Sequence, residues 1–324
     1  MDRPGRRSAA ALAGGAFAGL AAAAMAAGAG PPLRAMLWAP RDVDTVRAFA
    51  TQPTECLRPP ADPATALSVE VGRAAFRTPI VLGGHAARSG LSCESCHRGG
   101  RGNPDFQFPG VSGAPGTADV THSLFSARRG NGLDDPRPIP DLAAPKAALK
   151  VEQARSGRAL EDFVTGLIVE EFDGPRPTPA VLDGLAAYVR ALDPAACPTA
   201  DREPVSVATL MADSRRALAA SQASLAKGDP ATAVMMVAAA RARLGLIDER
   251  FADLPAERAR LRRADTRLAA QQQAIRERRP QGAAGLGTWL ARAPALEARL
   301  AAREPASLFD RNRLQQSAKR RLRG

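Results

Sequence analysis

The stretch Leu91–Asn103, LSCESCHRGGRGN, sets two cysteines three residues apart and a histidine directly after them. The chain has only four cysteines and three histidines in 324 residues, so Cys93-x-x-Cys96-His97 concentrates scarce ligands at one point. Three chemistries use that spacing: a redox dithiol, half of a zinc site, and covalent attachment of haem. A structural zinc site takes four ligands, usually as two pairs, and Cys56 and Cys197 stand as isolated singles. A thioredoxin-like dithiol belongs in a βαβ pattern, yet no strand-like alternation surrounds Cys93, and Gly99, Gly100 and Gly102 follow it. Haem attachment needs neither context. Two thiols add to the two vinyl groups, and His97 then stands ready to ligate the iron from one face. One haem c is therefore the expected cofactor. Arg98 and Arg101 flank the motif and are candidates for forked hydrogen bonds to a haem propionate.

The first 30 residues carry Arg3, Arg6 and Arg7 and then enter an uncharged run, rich in Ala and Gly, of about 26 residues from Ser8. This pattern predicts an export signal over 1–30, with an uncleaved anchor as the other outcome, and a mature chain in an oxidising, periplasmic compartment. Residues 31–64 form an N-terminal extension. Aromatics make up 4% of the chain, so Ala, Leu, Val and Ile must build the core, which favours an all-α fold. ALSVEVGRAAF predicts a helix with Val69, Gly72 and Phe76 on one side. RALEDFVTGLIVEEF places Leu160, Phe163, Val164, Leu167 and Ile168 at helical spacing. In TPAVLDGLAAYVRAL, Thr178 is the N-cap, Pro179 takes the first helical position, and Asp193-Pro194 ends the helix. Leu182, Leu185, Tyr188, Val189 and Leu192 form its apolar stripe. Glu170, Glu171 and Asp173 read as a solvated face.

Gly72-x-x-x-Phe76, then Cys93-x-x-Cys96-His97, then the closing LDGLAAYVRAL helix resembles a cytochrome c domain over 65–198. More narrowly, VGRAAFRTPIVLGGHAARSGLSCESCH followed by DFQFPGVSG and DVTHSLFS is similar to bacterial di-haem cytochrome c peroxidases. The resemblance implies that the first and last helices cross, with Gly72 against Tyr188. It also implies that Cys56 and Cys197, just outside those helices, come together as a disulfide. The chain departs from the peroxidases in two ways. It has one CxxCH motif where they have two, and no histidine in SGAPGTA where they carry one.

An axial methionine is the usual sixth ligand of an electron-transfer cytochrome, but none lies between Met36 and Met211. His122, 25 residues after His97, is the first candidate for the distal position and His85 the second. An open iron, Lys146, Lys150, or Met211, Met235 or Met236 reaching in from the C-terminal half are the other possibilities.

Charge divides the chain. Residues 1–204 hold 22 basic and 22 acidic side chains, whereas 205–324 hold 23 and 11 and carry the whole +12. In this basic helical domain, Met211, Leu218 and Leu225 share one face, Gly228 ends a helix, and Asp229 and Pro230 start the next. A further helix shows Leu261, Ala264, Leu268 and Ile275. No 34-residue repeat is present, so the pattern predicts a hairpin or small bundle with a frayed tail. Without interleaved aromatics, nucleic acid is not an expected partner. An acidic redox partner or an anionic membrane surface is. The expected function is one-electron transfer in the cell envelope. The alternatives are a peroxidase-like or oxygen-reactive haem enzyme and a haem-based redox or gas sensor.

Overall fold

The computed structural model describes residues 33–321 except 127 and 129, so the expected export signal lies outside them. Asp44 opens helix α1 (Thr45–Ala50) by accepting from the main-chain N–H groups of Val46 and Arg47, and strand β1 (Thr51–Pro53) follows at once. Asp62 accepts from Thr65 N at 2.7 Å and Pro63 fills the first position of α2 (Pro63–Phe76). Two short helices come next, α3 (Gly84–Arg88) and α4 (Cys93–Cys96). A largely irregular segment contains the antiparallel pair β2 (Thr117–Ala118) and β3 (Arg137–Pro138). It leads to α5 (Ala159–Gly166), which continues as a π-helical turn over Leu167–Glu171. Helix α6 (Pro179–Ala191) starts on Thr178 and Pro179 and stops before Asp193-Pro194, as the local signals predict.

Helices α2 and α6 cross with their backbones in contact. A Cβ on Gly72 would lie 1.8 Å from the Gly184 carbonyl oxygen. The residue facing Gly72 is thus Gly184 and not Tyr188. Two glycines let the main chains touch, and no ring fits between them. Four residues further along each helix, Phe76 and Tyr188 pair instead, with centroids 5.1 Å apart. Around this crossing, Val69, Phe76, Ile168, Leu185, Tyr188 and Leu192 form a buried core. In the acidic stretch after α5, Glu170 and Asp173 are exposed as expected of a solvated face, whereas Glu171 is 5% exposed.

Cys56 and Cys197 are bonded, with Cα atoms 4.0 Å apart. They sit next to the pairing of β1 with β4 (Arg202–Pro204), which joins the expected N-terminal extension to the far end of the haem-side segment. A crosslink spanning 141 residues contributes roughly 4–5 kcal/mol in the chain-entropy account. Cys197→Ser should lower the unfolding free energy by about that amount in urea melts, and non-reducing peptide maps of the native chain should recover the two cysteines joined. Recovery of both as free thiols from oxidised material would remove the crosslink from the fold.

The basic half comprises α7 (Val207–Ala226), α8 (Pro230–Arg250), α9 (Pro255–Arg276), α10 (Gln281–Ala301) and α11 (Arg311–Arg321). Gly228 turns α7 into α8 at φ +74°, and Asp229 caps α8 by accepting from Thr232 N at 2.9 Å. Each of α7–α10 packs on the next, and α10 returns onto α7, so the four close into a bundle. Met211, Leu218, Leu261 and Leu268 are fully buried inside it. Among the described residues, α8 alone is long and apolar enough to cross a membrane. Half of its apolar window is buried in the fold, as expected of a core helix. The tail, expected to fray, forms α11 and docks on α1. Leu314 is fully buried there beside Phe49, and that apolar contact overrides the helix's own basic composition. Across the expected boundary near residue 200 the two halves are in contact, with α2 packing on both α7 and α8.

Candidate haem-attachment site

Local signals hold the Cys93–His97 turn. Ser92 caps α4 in a capping box with Ser95, and Ser92 N donates to Ser95 Oγ at 3.0 Å. His97 N closes the turn on Cys93 O at 2.8 Å. Gly99 and Gly100 then turn the chain at φ +62° and +72°, and a Cβ on Gly99 would meet Pro53 O of β1 at 2.7 Å.

Helical spacing puts Cys93 and Cys96 on one side of this turn and Glu94 and Ser95 on the other, and His97 leaves helical geometry at φ −109° and ψ 68°. Cys93 and Cys96 pack against the haem-side core. The His97 ring lies 6.4 Å from the Phe76 ring. His97 Nδ1 sits 3.0 Å from Pro140 O, and since a carbonyl only accepts, Nδ1 carries the proton. Nε2 is left as the ligating nitrogen, which is how a ligating histidine is commonly oriented. Burial lowers the imidazole to about 4, against the opposing pull of Pro140 O and Asp141, so the ring is neutral at pH 7 as a ligand must be. Pro140 lies in the loop NGLDDPRPIPDL and carries no sequence signal that distinguishes it from Pro136 or Pro138.

Burial pushes the Cys93 and Cys96 thiols up to about 12. A redox dithiol works through a thiolate of lowered pKa, and this environment acts in the opposite direction. Neutral thioethers suit the same surroundings. The residues therefore fit a covalently held haem: two thiols on one apolar core and one oriented imidazole beside it. Among the described residues, no three His, Cys, Asp or Glu side chains converge as a metal-ion cage.

The flanking arginines are engaged elsewhere. Arg101 Nε donates to Asp141 Oδ2 at 2.6 Å and Nη1 lies 3.3 Å from Cys56 Sγ, which fixes the loop residue adjoining Pro140. Arg98 donates to Ala48 O at the end of α1. His122 is half-buried on a turn, where its Nδ1 accepts from Leu124 N at 3.1 Å, and His85 is exposed on α3. Lys146 Nζ caps α6 by donating to Val189 O and Leu192 O, and Lys150 lies 6.0 Å over the Phe163 ring. Met235 and Met236 of α8 pack against the haem-side core, whereas Met211 is in the bundle core.

Behind α4 stands a buried charge network that the sequence does not reveal. Arg77, 5% exposed, pairs with Glu55 at 2.9 Å, Glu94 at 3.0 Å and Asp213 at 3.3 Å. Arg243 of α8 pairs with Glu94 at 3.1 Å and donates to Arg77 O. Tyr188 Oη donates to Glu55 Oε1 at 2.6 Å. Burial acts to raise Glu94 and Asp213, but the surrounding guanidiniums prevail, holding Glu94 below its ordinary range and Asp213 at about 2. Glu94, the residue after Cys93, thus ties the motif to α2 and to the bundle.

Neither a protein-family model, nor a curated protein, nor a solved structure matches this chain.

Proposed function

We propose that this chain is an exported monohaem c-type cytochrome that carries single electrons in the cell envelope. The observation that supports this best is the His97 Nδ1 contact with Pro140 O, made beside the core that Cys93 and Cys96 pack against. Cys93 and Cys96 hold the haem through thioether bonds and His97 ligates it from the proximal side. The haem supplies a one-electron iron couple. Pro140, held through Asp141 and Arg101, fixes the imidazole tautomer, and Phe76 and the neighbouring core keep water from that side. His122 is the distal candidate we favour.

Protein made together with a periplasmic haem-attachment system should keep its haem colour on a denaturing gel, and Cys93→Ala with Cys96→Ala should abolish it. Colour that survives the double substitution would sink the proposal. A low-spin ferric spectrum altered by His122→Ala is the expected signature. A high-spin spectrum with steady peroxide turnover would favour the peroxidase alternative.

The partner we propose is an acidic redox protein. Arg260, Arg262, Arg263, Arg267 and Arg276 are exposed along α9, and exposed charges of one sign steer an oppositely charged partner. Association should weaken at least tenfold between about 0.02 and 0.2 M salt, over which the screening length falls from about 20 Å to under 10 Å. Binding that ignores salt would count against it, and binding to anionic vesicles in preference to acidic proteins would assign the face to a membrane.

A further inference from the structure

The second face of α4 borders an open cavity of about 240 Å³ lined in part by the Leu33–Trp38 segment, α1, α4 and α8. Glu94, Ser95 and Arg98 line it, whereas Cys93, Cys96 and His97 do not. Each carboxylate on its wall already has a guanidinium partner: Glu94 with Arg77 and Arg243, Glu249 with Arg34, and Asp105 with Arg47. Two arginines on the same wall are different. Arg98 makes one hydrogen bond, to Ala48 O. Arg250, 7% exposed, donates to Phe49 O and to Leu308 O at 3.1 Å, and its guanidinium carbon lies 4.9 Å over the Phe309 ring. Among the described residues, no carboxylate lies within ion-pair distance of either. A guanidinium has five N–H donors, so most of those on Arg98 remain uncommitted. Arg250 is buried and Arg98 half-buried, and two cations facing one space without an ion-paired carboxylate are costly. Burial and then Arg98 pull the Arg250 guanidinium down to about 9, which registers that cost. The wall also carries the apolar Leu33, Trp38, Phe49, Val205 and Leu246 beside the polar Gln52, Ser92, Ser95 and Asn103.

We propose that this cavity binds a small organic acid, its carboxylate held by Arg98 and Arg250 and its apolar body against Trp38, Phe49 and Leu246. An arginine fork matches a carboxylate with two parallel hydrogen bonds, and the apolar part of the wall selects an acid with a hydrocarbon body over a bare inorganic anion. The site stands apart from the haem reading, since it uses the face of α4 that the cysteines leave free.

The test uses the full mature chain with benzoate, its neutral analogue benzamide, and inorganic phosphate as probes. Benzoate should raise the melting temperature by several degrees and bind in calorimetry with 1:1 stoichiometry, with benzamide and phosphate at least tenfold weaker. Arg98→Gln should weaken benzoate at least tenfold. Arg250→Gln removes the more buried cation but also two main-chain anchors, so Gly245→Leu provides a variant that keeps every hydrogen bond. Gly245 borders the cavity on α8, and a Cβ there meets nothing within 4 Å. It should fold as the parent does and lose benzoate binding. Equal responses to benzoate and benzamide, no benzoate binding at all, or binding unchanged in Arg98→Gln and Gly245→Leu would overturn the proposal.

Discussion

Gly72→Ala should destabilise the chain by about 3 kcal/mol or more, the upper end of what overpacking costs, because the obstacle is main chain and not a movable side chain. The added methyl would stand 1.8 Å from Gly184 O, so α2 and α6 must part along their whole crossing. Alanine's better helix propensity, worth up to about 1 kcal/mol, opposes this and loses. Gly245→Ala is the matched control: it lies in α8 with open space around its Cβ, and should be neutral or stabilising by up to about 1 kcal/mol. Urea melts followed by circular dichroism measure both. A Gly72→Ala chain as stable as its parent would show that the helices do not meet as described.

Arg77→Leu should cost about 3 kcal/mol at neutral pH, the lower end of the range for breaking a buried ion pair, since it takes one guanidinium from each of Glu55, Glu94 and Asp213 and leaves each with another, Arg73, Arg243 and Arg216. The pH dependence separates this from a packing defect. Asp213 titrates at about 2 in the fold against an ordinary 3.8. Its contribution to wild-type stability, about 2 kcal/mol, is complete above pH 3.8 and is lost as pH falls through 2. In the variant Asp213 has lost its Arg77 partner and gains less from being charged, so its protonation by acid costs the variant less. The gap between the two proteins should therefore be widest near pH 7 and shrink toward pH 3. A gap that stays constant with pH would contradict the charge account. The same network shows why cutting the chain near residue 204 is a poor way to test docking by the basic bundle. The cut removes Asp213 from Arg77 and Arg243 from Glu94 and exposes the outer side of α2, so salt dependence is the cleaner probe.

What the sequence made legible was local. Thr178-Pro179 and Asp229-Pro230 each start a helix at the signal, because a cap and its N–H partners are neighbours in the chain. The cysteine pairing was legible through the resemblance, which implies that the two helices flanked by Cys56 and Cys197 cross. The Glu55–Arg77–Glu94–Asp213–Arg243 network was not, since its members lie far apart in sequence and any one of them alone looks like a surface charge. Arg98 and Arg101 look alike beside the motif, but in the fold the first reaches Ala48 O at the end of α1 while the second meets Asp141. Pro140 was one proline among several until the fold brought its carbonyl to His97. Tyr188 drew attention as the lone tyrosine, and the less conspicuous Gly184 holds the place opposite Gly72.

With export into an oxidising space as proposed above, the crosslink between Cys56 and Cys197 sets an order of events for a chain that emerges amino end first. Cys56, Cys93 and Cys96 are all available before Cys197 appears, about a hundred residues later. The nearest thiol for Cys56 during that interval is a wrong one, and a premature bridge to Cys93 or Cys96 would both consume a cysteine of the motif and leave Cys197 unpaired. Early occupation of Cys93 and Cys96 by their own ligand leaves Cys56 a single remaining choice. The sequence of maturation steps, and not only the final geometry, thus decides how much correctly joined protein accumulates.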